Sequence, residues 1–234
     1  MSKSENVVMR IYRELFNLYG PQGWWPLLNH QKFVVDKSGS VRGYHPGNYD
    51  LPLERDQVYE VILGTILTQN TSWLQAEKAL LNLNELNVIN PEKFLELDLK
   101  ILKKQIKCAG FFNQKAIYLR EVTKFFISLN GQIPRRKDLM AVKGVGNETA
   151  DSILLYAYKK PEFVVDAYTK RIFSHLGIVN ENVNYRDLKE LFESNLPRDV
   201  AIYNEYHALI VEHAKRYYQM KPYGKDDPLP KIIK

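Results

Sequence analysis

Apolar positions recur along this chain at helical spacing. Val58, Val61, Ile62, Thr65 and Ile66 fall on one face of a helix predicted from about Asp56 to Thr68. Ser72 with Gln75 resembles a capping box, opening a helix with Ala76, Ala79, Leu80 and Leu83 on its inner face. Asn90-Pro91 reads as a cap followed by proline at the first helical position. Asp98 caps a further predicted helix that Gly110 ends, and Asn113 starts another running to about Leu129, before Asn130-Gly131. Helical spacing returns at Ala150, Ile153, Leu154 and Ala157, then at Thr169, Ile172, Phe173 and Leu176, with a late helix over 203–218. The run Phe163-Val164-Val165 is apolar and buried but too short to imply a sheet. Residues 35–53, rich in glycine, proline and polar side chains, read as a loop or short hairpin at a boundary between an N-terminal arm and a helical core. The stretch from Pro222 onward reads as irregular.

Composition narrows the class. The 234 residues are 45% apolar, enough for a substantial core in one domain or two small ones. A net charge of +6 favours an anionic partner, although an ordinary basic protein would carry the same charge. The single cysteine, Cys108, excludes an internal disulfide and a cysteine metal cluster. There is no signal-peptide pattern and no run of about 20 apolar residues, so an intracellular protein is expected. The five histidines lack metal-ligand spacing, and no metal or phosphate loop of the nucleotide-hydrolase kind is expected.

The most informative segment is 139–171. Val142-Lys143-Gly144-Val145-Gly146 forms a G-x-G turn between two predicted helices. Glycines there let backbone N–H groups approach a phosphate beside a helix N-terminus, and Lys143 adds charge. Such contacts fix the register of a nucleic acid without reading its sequence. A structural helix–turn–helix would share the glycines. Val142, Val145 and Ala150 supply the packing a DNA-gripping hairpin needs, which favours binding.

"VKGVGNETADSILLYA" followed by "FVVDAYTKRIF", with "YEVILGTILTQNTSW" and "AGFFNQKAIYL" upstream, resembles the helix-hairpin-helix (HhH-GPD) DNA glycosylase superfamily, the endonuclease III relatives. The resemblance covers about Asp56 to Leu176. It implies an all-α fold of two domains, expected here as 54–160 and as 1–53 with 161–234. Double-stranded DNA would lie in a cleft between them, with a damaged base flipped out of the stack. A monomer acting in the cytoplasm at the nucleoid is expected.

Several residues take roles from this resemblance. Asp166 matches the family's catalytic carboxylate. Locally it also stands where an N-cap for the following helix belongs, and the two roles are compatible. A carboxylate near the anomeric carbon stabilises the positive charge that builds as a glycosidic bond breaks. Bifunctional relatives carry a Schiff-base lysine early in the hairpin's second helix; Glu148 occupies that position here and cannot form a Schiff base. As a first-turn acid, Glu148 also suits the helix dipole. A monofunctional glycosylase that leaves an abasic site is therefore expected. The adenine–mismatch branch carries a glutamate where this chain has Thr65, which argues against that branch. Gln69, with Asn70, matches the loop that fills the gap left by the flipped base; a polar turn would need the same residues.

Trp24-Trp25-Pro26 with no iron–sulfur cysteines resembles the bacterial 3-methyladenine glycosylases of the endonuclease III type. Trp24 and Trp25 would form a stacking wall for the base, or fill an ordinary core, and Tyr59 would match a stacking aromatic. An alkylated purine carries positive charge and a weakened glycosidic bond, so an aromatic slot and one carboxylate suffice for its release. The expected substrate is 3-methyladenine. The same chemistry on deaminated or oxidised bases, or a non-catalytic damage-binding role, are the alternatives. No cofactor is expected; a monovalent cation on the hairpin carbonyls is compatible with the family. Lys170 and Arg171 face phosphate or water, and Lys215 and Arg216 are left without orientation.

Overall fold

The computed structural model describes residues 6–29 and 43–233, so positions 35–42 of the predicted boundary loop lie outside the described residues. Among the described residues the structure is helical, with no strand. The helices are α1 (Val7–Tyr19), α2 (Arg55–Leu67), α3 (Trp73–Glu85), α4 (Pro91–Glu96), α5 (Leu99–Gln105), α6 (Phe112–Ser128), α7 (Arg136–Met140), α8 (Asn147–Ser152), α9 (Ala167–His175), α10 (Tyr185–Asn195), α11 (Val200–Tyr217) and α12 (Leu229–Ile232). The chain forms two compact units, one of Trp25–His45 and Asp50–Lys160, the other of Met1–Trp24, Pro46–Tyr49 and Pro161–Lys234.

The division departs from the expected boundaries. Trp25 and residues 50–53 go with 54–160 rather than with the N-terminal arm. Trp25 packs edge-on against Trp73 with centroids 5.5 Å apart, and against Tyr156 at 5.1 Å. Gly64 makes room for it, because a Cβ there would lie 3.0 Å from the Trp25 indole nitrogen. Lys159 Nζ donates to the carbonyls of Asp50 and Pro52, which ties 50–53 to the same unit.

In the unit containing α2–α8, α2 is the central element, packed against α3, α6 and the turn that follows α8. Every residue from Tyr59 to Leu67 is buried, so the helix is surrounded and its apolar face cannot be told from its pattern alone. Its N-terminus is closed by Gln57, whose Oε1 accepts the N–H groups of Leu53 and Glu54. Ser72 does stand at the N-cap of α3, but its side chain makes no cap hydrogen bond, so the expected box there is not formed. Asn90 and Asp98 do cap α4 and α5 by accepting from Lys93 N–H and from Lys100 and Ile101 N–H. Helix α6 begins one residue earlier than Asn113 implied, behind Phe111, whose φ of 44° is left-handed. After α8 the helix loosens into a π turn at Ile153–Ala157, all of it buried.

The other unit is built on α11, which packs against α1 and α9. Helix α1, not singled out in the sequence, carries Val8, Ile11 and Leu15 on its buried face behind an Asn6 cap. Phe163 in the buried extended run stacks on Phe192 at 4.2 Å and meets Tyr203 and Tyr206 edge-on. The stretch after Pro222 is ordered by a clasp and contains the short α12, where irregular chain was expected. His213 Nε2 lies 3.0 Å from Asp227 Oδ1, both side chains fully buried. Tyr19 bonds His213 Nδ1 at 2.7 Å, and the Tyr218 hydroxyl donates to Asp227 Oδ2. Gly224 closes against His175, where a Cβ would come within 2.4 Å of Nε2. The Arg171 guanidinium stacks 4.2 Å from the Tyr223 ring and donates to the Tyr218 carbonyl. Lys170 and Arg171 were both assigned to phosphate or water; Arg171 instead serves this clasp.

Candidate functional site

The hairpin lies between α7 and α8. Gly144 adopts φ +90°, and a Cβ there would fall 2.2 Å from the Tyr118 ring, so both the turn and the packing demand glycine. Gly146 is different: nothing lies within 4 Å of its would-be Cβ, and it is exposed with Lys143 and Asn147. The outward side of the turn is thus open, while Val145 is buried beneath it. Arg136 locks the two helices together. Its guanidinium pairs with both oxygens of the fully buried Asp151, at 2.7 and 3.0 Å, and donates to Asn147 Oδ1. That fork was not singled out in the sequence, since an arginine in the first helix carries no family-independent signal.

Gln69 follows α2 in a loop that Asn70 turns with φ 53°. Its amide nitrogen donates to the Gly144 carbonyl at 2.9 Å and to Thr149 Oγ1 at 3.0 Å, so Gln69 rests against the hairpin. Among the described residues no three His, Cys, Asp or Glu side chains converge as a metal site. Glu148 is exposed in the first turn of α8.

A second loop near Gln69 was not identified from sequence. Phe111 exposes 64% of its surface on a left-handed backbone, immediately after Gly110. Its ring stands in water on a positive-φ turn, in the loop that follows the 3-10 turn Lys107–Ala109. The signal was available in the paired phenylalanines after Gly110, ahead of the helical register.

The aromatic residues assigned to the base pocket separate. Tyr59 is fully buried, its hydroxyl bonded to Thr123 Oγ1 at 2.7 Å and its ring stacked on Phe126 and edge-on to Phe94. No face of its ring is open to a base, which corrects its assignment; α2 is enclosed on that side by α4 and α6. Trp25 is also core, 8% exposed. Trp73, half-buried and edge-on to Trp25, was not singled out in the sequence. Thr65 is buried and returns its hydroxyl to the Ile62 carbonyl of its own helix.

Asp166 and Trp24 belong to the other unit, where His207 brings them together. Asp166 caps α9: Oδ1 accepts the Thr169 N–H and hydroxyl, each at 2.7 Å, and its own N–H donates to Thr169 Oγ1. Both expectations for its local role are thereby compatible, as the cap uses one oxygen only. Oδ2 lies 3.9 Å from His207 Nε2, with the Asp166 side chain 14% exposed. Trp24 sets its ring edge-on to His207, centroids 5.8 Å apart. Burial pushes the Asp166 carboxyl up, but the imidazole of His207 and the two Thr169 donors outweigh it and hold it below the usual carboxylate range. His207 was set aside in the sequence for lacking metal spacing; its partner is a carboxylate distant along the chain.

Residues 63–198 match the family model of the HhH-GPD superfamily base excision DNA repair protein. The chain is 41% identical over 234 residues to a Methanocaldococcus jannaschii protein named as a DNA repair glycosylase, covering 95% of this chain and 94% of that one. It is 32% identical over 198 residues to endonuclease III of Sulfolobus acidocaldarius, covering 82% and 86%. Among solved structures, the H. pylori 3-methyladenine DNA glycosylase bound to 1,N6-ethenoadenine superposes with a TM-score of 0.69 at 26% identity, over 89% of this chain and 97% of that chain. A non-covalent endonuclease III–DNA complex shares the fold, with a TM-score of 0.74 at 17% identity over 96% and 92%. A glycine hairpin locked by Arg136 and a carboxylate capping the helix beyond it are carried by a chain that belongs to the HhH-GPD superfamily of base excision DNA repair proteins, in its endonuclease III-like branch.

Proposed function

We propose that this DNA glycosylase of base excision repair is monofunctional and releases alkylated purines, 3-methyladenine foremost, leaving an abasic site. The observation that carries the monofunctional reading is Glu148: an exposed carboxylate stands in the first turn of α8, where a Schiff-base lysine would be needed. In this reading Lys143, Gly144, Val145 and Gly146 hold the DNA backbone, and Gln69 with Asn70 leaves the hairpin to fill the gap behind the extruded base. Phe111 stacks on the exposed neighbouring bases. The methylated base leaves as a neutral molecule, taking the glycosidic electron pair. Asp166, ionised near neutral pH, stabilises the positive sugar through Oδ2. Water then bonds to the anomeric carbon and gives its proton to that carboxylate. Trp24 is the aromatic available to the base in the unit of Asp166, and Trp73 is the accessible face of the Trp25 cluster in the other. The likeness to the H. pylori glycosylase, whose structure holds 1,N6-ethenoadenine, supports a modified purine as substrate.

Borohydride reduction during turnover tests the central chemistry. With Glu148 in place no protein–DNA adduct is expected, while base release proceeds. A trapped adduct would show that another amine attacks the sugar and would overturn the monofunctional reading.

A further inference from the structure

Lys115 is a buried lysine that the reaction does not use. It is 2% exposed, and its ammonium donates to two backbone carbonyls, Leu67 O at 2.7 Å and Ala109 O at 2.8 Å. Burying an ammonium is costly unless its protons are satisfied. Its two partners are not an ion pair but the last carbonyls of two separate elements: Leu67 ends α2, and Ala109 ends the 3-10 turn Lys107–Ala109. Two residues beyond Leu67 stands Gln69, and two beyond Ala109 stands Phe111. Both segments then turn through left-handed backbone, at Asn70 and at Gly110–Phe111. A cation at the end of α2 also meets the negative end of the helix dipole.

We infer that Lys115 is a positioning residue, whose ammonium fixes the spacing of the Gln69–Asn70 and Phe111 loops so that both engage the duplex as the damaged base leaves it. This rests on the proposed gap-filling role of Gln69. The lysine earns its buried place because two carbonyls from different loops converge on one centre, a geometry that no apolar side chain holds. Burial lowers its pKa to about 8, opposed by the neighbouring Cys108 on the 3-10 turn. Its charge is therefore largely kept at neutral pH, and the charge assistance to both hydrogen bonds is lost as pH rises through about 8.

The experiment compares single-turnover release of 3-methyladenine from methylated duplex DNA with release from the same strand left unannealed. An unpaired base needs no gap filled, so the ratio of the two rates isolates the loops. Lys115→Met is expected to lower the duplex rate at least tenfold while changing the single-strand rate little, and Lys115→Arg to retain most of the ratio. Equal slowing on both substrates, or no slowing on either, would overturn the assignment. Should Lys115→Met fail to fold, the wild-type ratio decides: it should fall between pH 7 and 9, and a constant ratio would overturn the assignment. Gln69→Ala separates this inference from the reading beneath it. If Gln69→Ala leaves the ratio unchanged, the gap-filling reading fails; if it lowers the ratio and Lys115→Met does not, only the role of Lys115 fails.

Discussion

Thr169 donates both its backbone N–H and its hydroxyl to Asp166 Oδ1, which leaves Oδ2 as the oxygen turned toward His207. The cap uses one oxygen and orients the side chain; in the proposed reaction the other oxygen faces the charge that builds on the sugar. Asp166→Asn keeps an oxygen for the cap, so its melting temperature should stay near wild type and DNA binding should persist. Base release should fall by about 10²–10³-fold or more. Thr169→Ala removes the hydroxyl and keeps the backbone N–H that caps Oδ1, so it loosens the aim, and should cost about 1 kcal/mol of stability with a smaller loss of rate. Near-wild-type release by Asp166→Asn would refute the assignment.

Lys143 is exposed at the hairpin turn, where the proposed function gives it a phosphate contact. Lys143→Ala should weaken binding to damaged and undamaged duplex alike, and reduce the slope of log affinity against log salt by roughly one. Unchanged salt dependence would remove Lys143 from the interface.

Arg136 acts one layer below. Arg136→Met leaves the Asp151 carboxylate buried without its bidentate partner and should destabilise the protein by roughly 3–5 kcal/mol. Denaturant titration checks this, and a loss under 1 kcal/mol would mean the hairpin is held by packing alone.

Glu60 gives a pH signature. It is 5% exposed, and burial pushes its carboxyl up to about 7, against a stabilising hydrogen bond from Leu28 N–H. The folded value is raised, so its stability contribution is full below the unfolded pKa and is lost as pH rises through about 7. Glu60→Gln keeps the acceptor for Leu28 and should stabilise the protein by roughly 1–3 kcal/mol above pH 7, with no gain below pH 4. Asp227 has the opposite sign. Burial raises its carboxyl, but His213 and Tyr218 outweigh that and hold it low, so the tail clasp should loosen only as pH falls below the usual carboxylate range. Thermal melts across pH 3–9 read both effects, and a Glu60→Gln curve parallel to wild type would contradict the first.

The aromatic residues show where sequence reading succeeded and where it stopped. Helix periodicity placed α3 and α9 because each has one wet face, and cap residues placed α4 and α5. Periodicity could not rank positions around α2, which is enclosed on every side, and Tyr59, matched to a base contact by resemblance, is bonded to Thr123 in the core. Trp24 and Trp25 are adjacent in sequence, yet they join different units, a division no local pattern contains. The hairpin and Asp166 were legible because their chemistry is local: glycines at a turn, a carboxylate at a cap. His207, Arg136 and Lys115 were not, since each acts on a partner that only the fold brings near. Substitution separates the roles. Trp25→Ala should cost roughly 3–5 kcal/mol as a core truncation. Trp24→Ala should leave stability closer to wild type while lowering release of 3-methyladenine, and normal release would exclude Trp24 from the base site.

The most direct measurement is release of free bases from methylated duplex DNA, with strand breaks counted before and after hot alkali. The proposed chemistry predicts free 3-methyladenine and breaks that appear only after alkali. Breaks without alkali would contradict the hydrolytic mechanism, and no release of methylated purine would contradict the substrate.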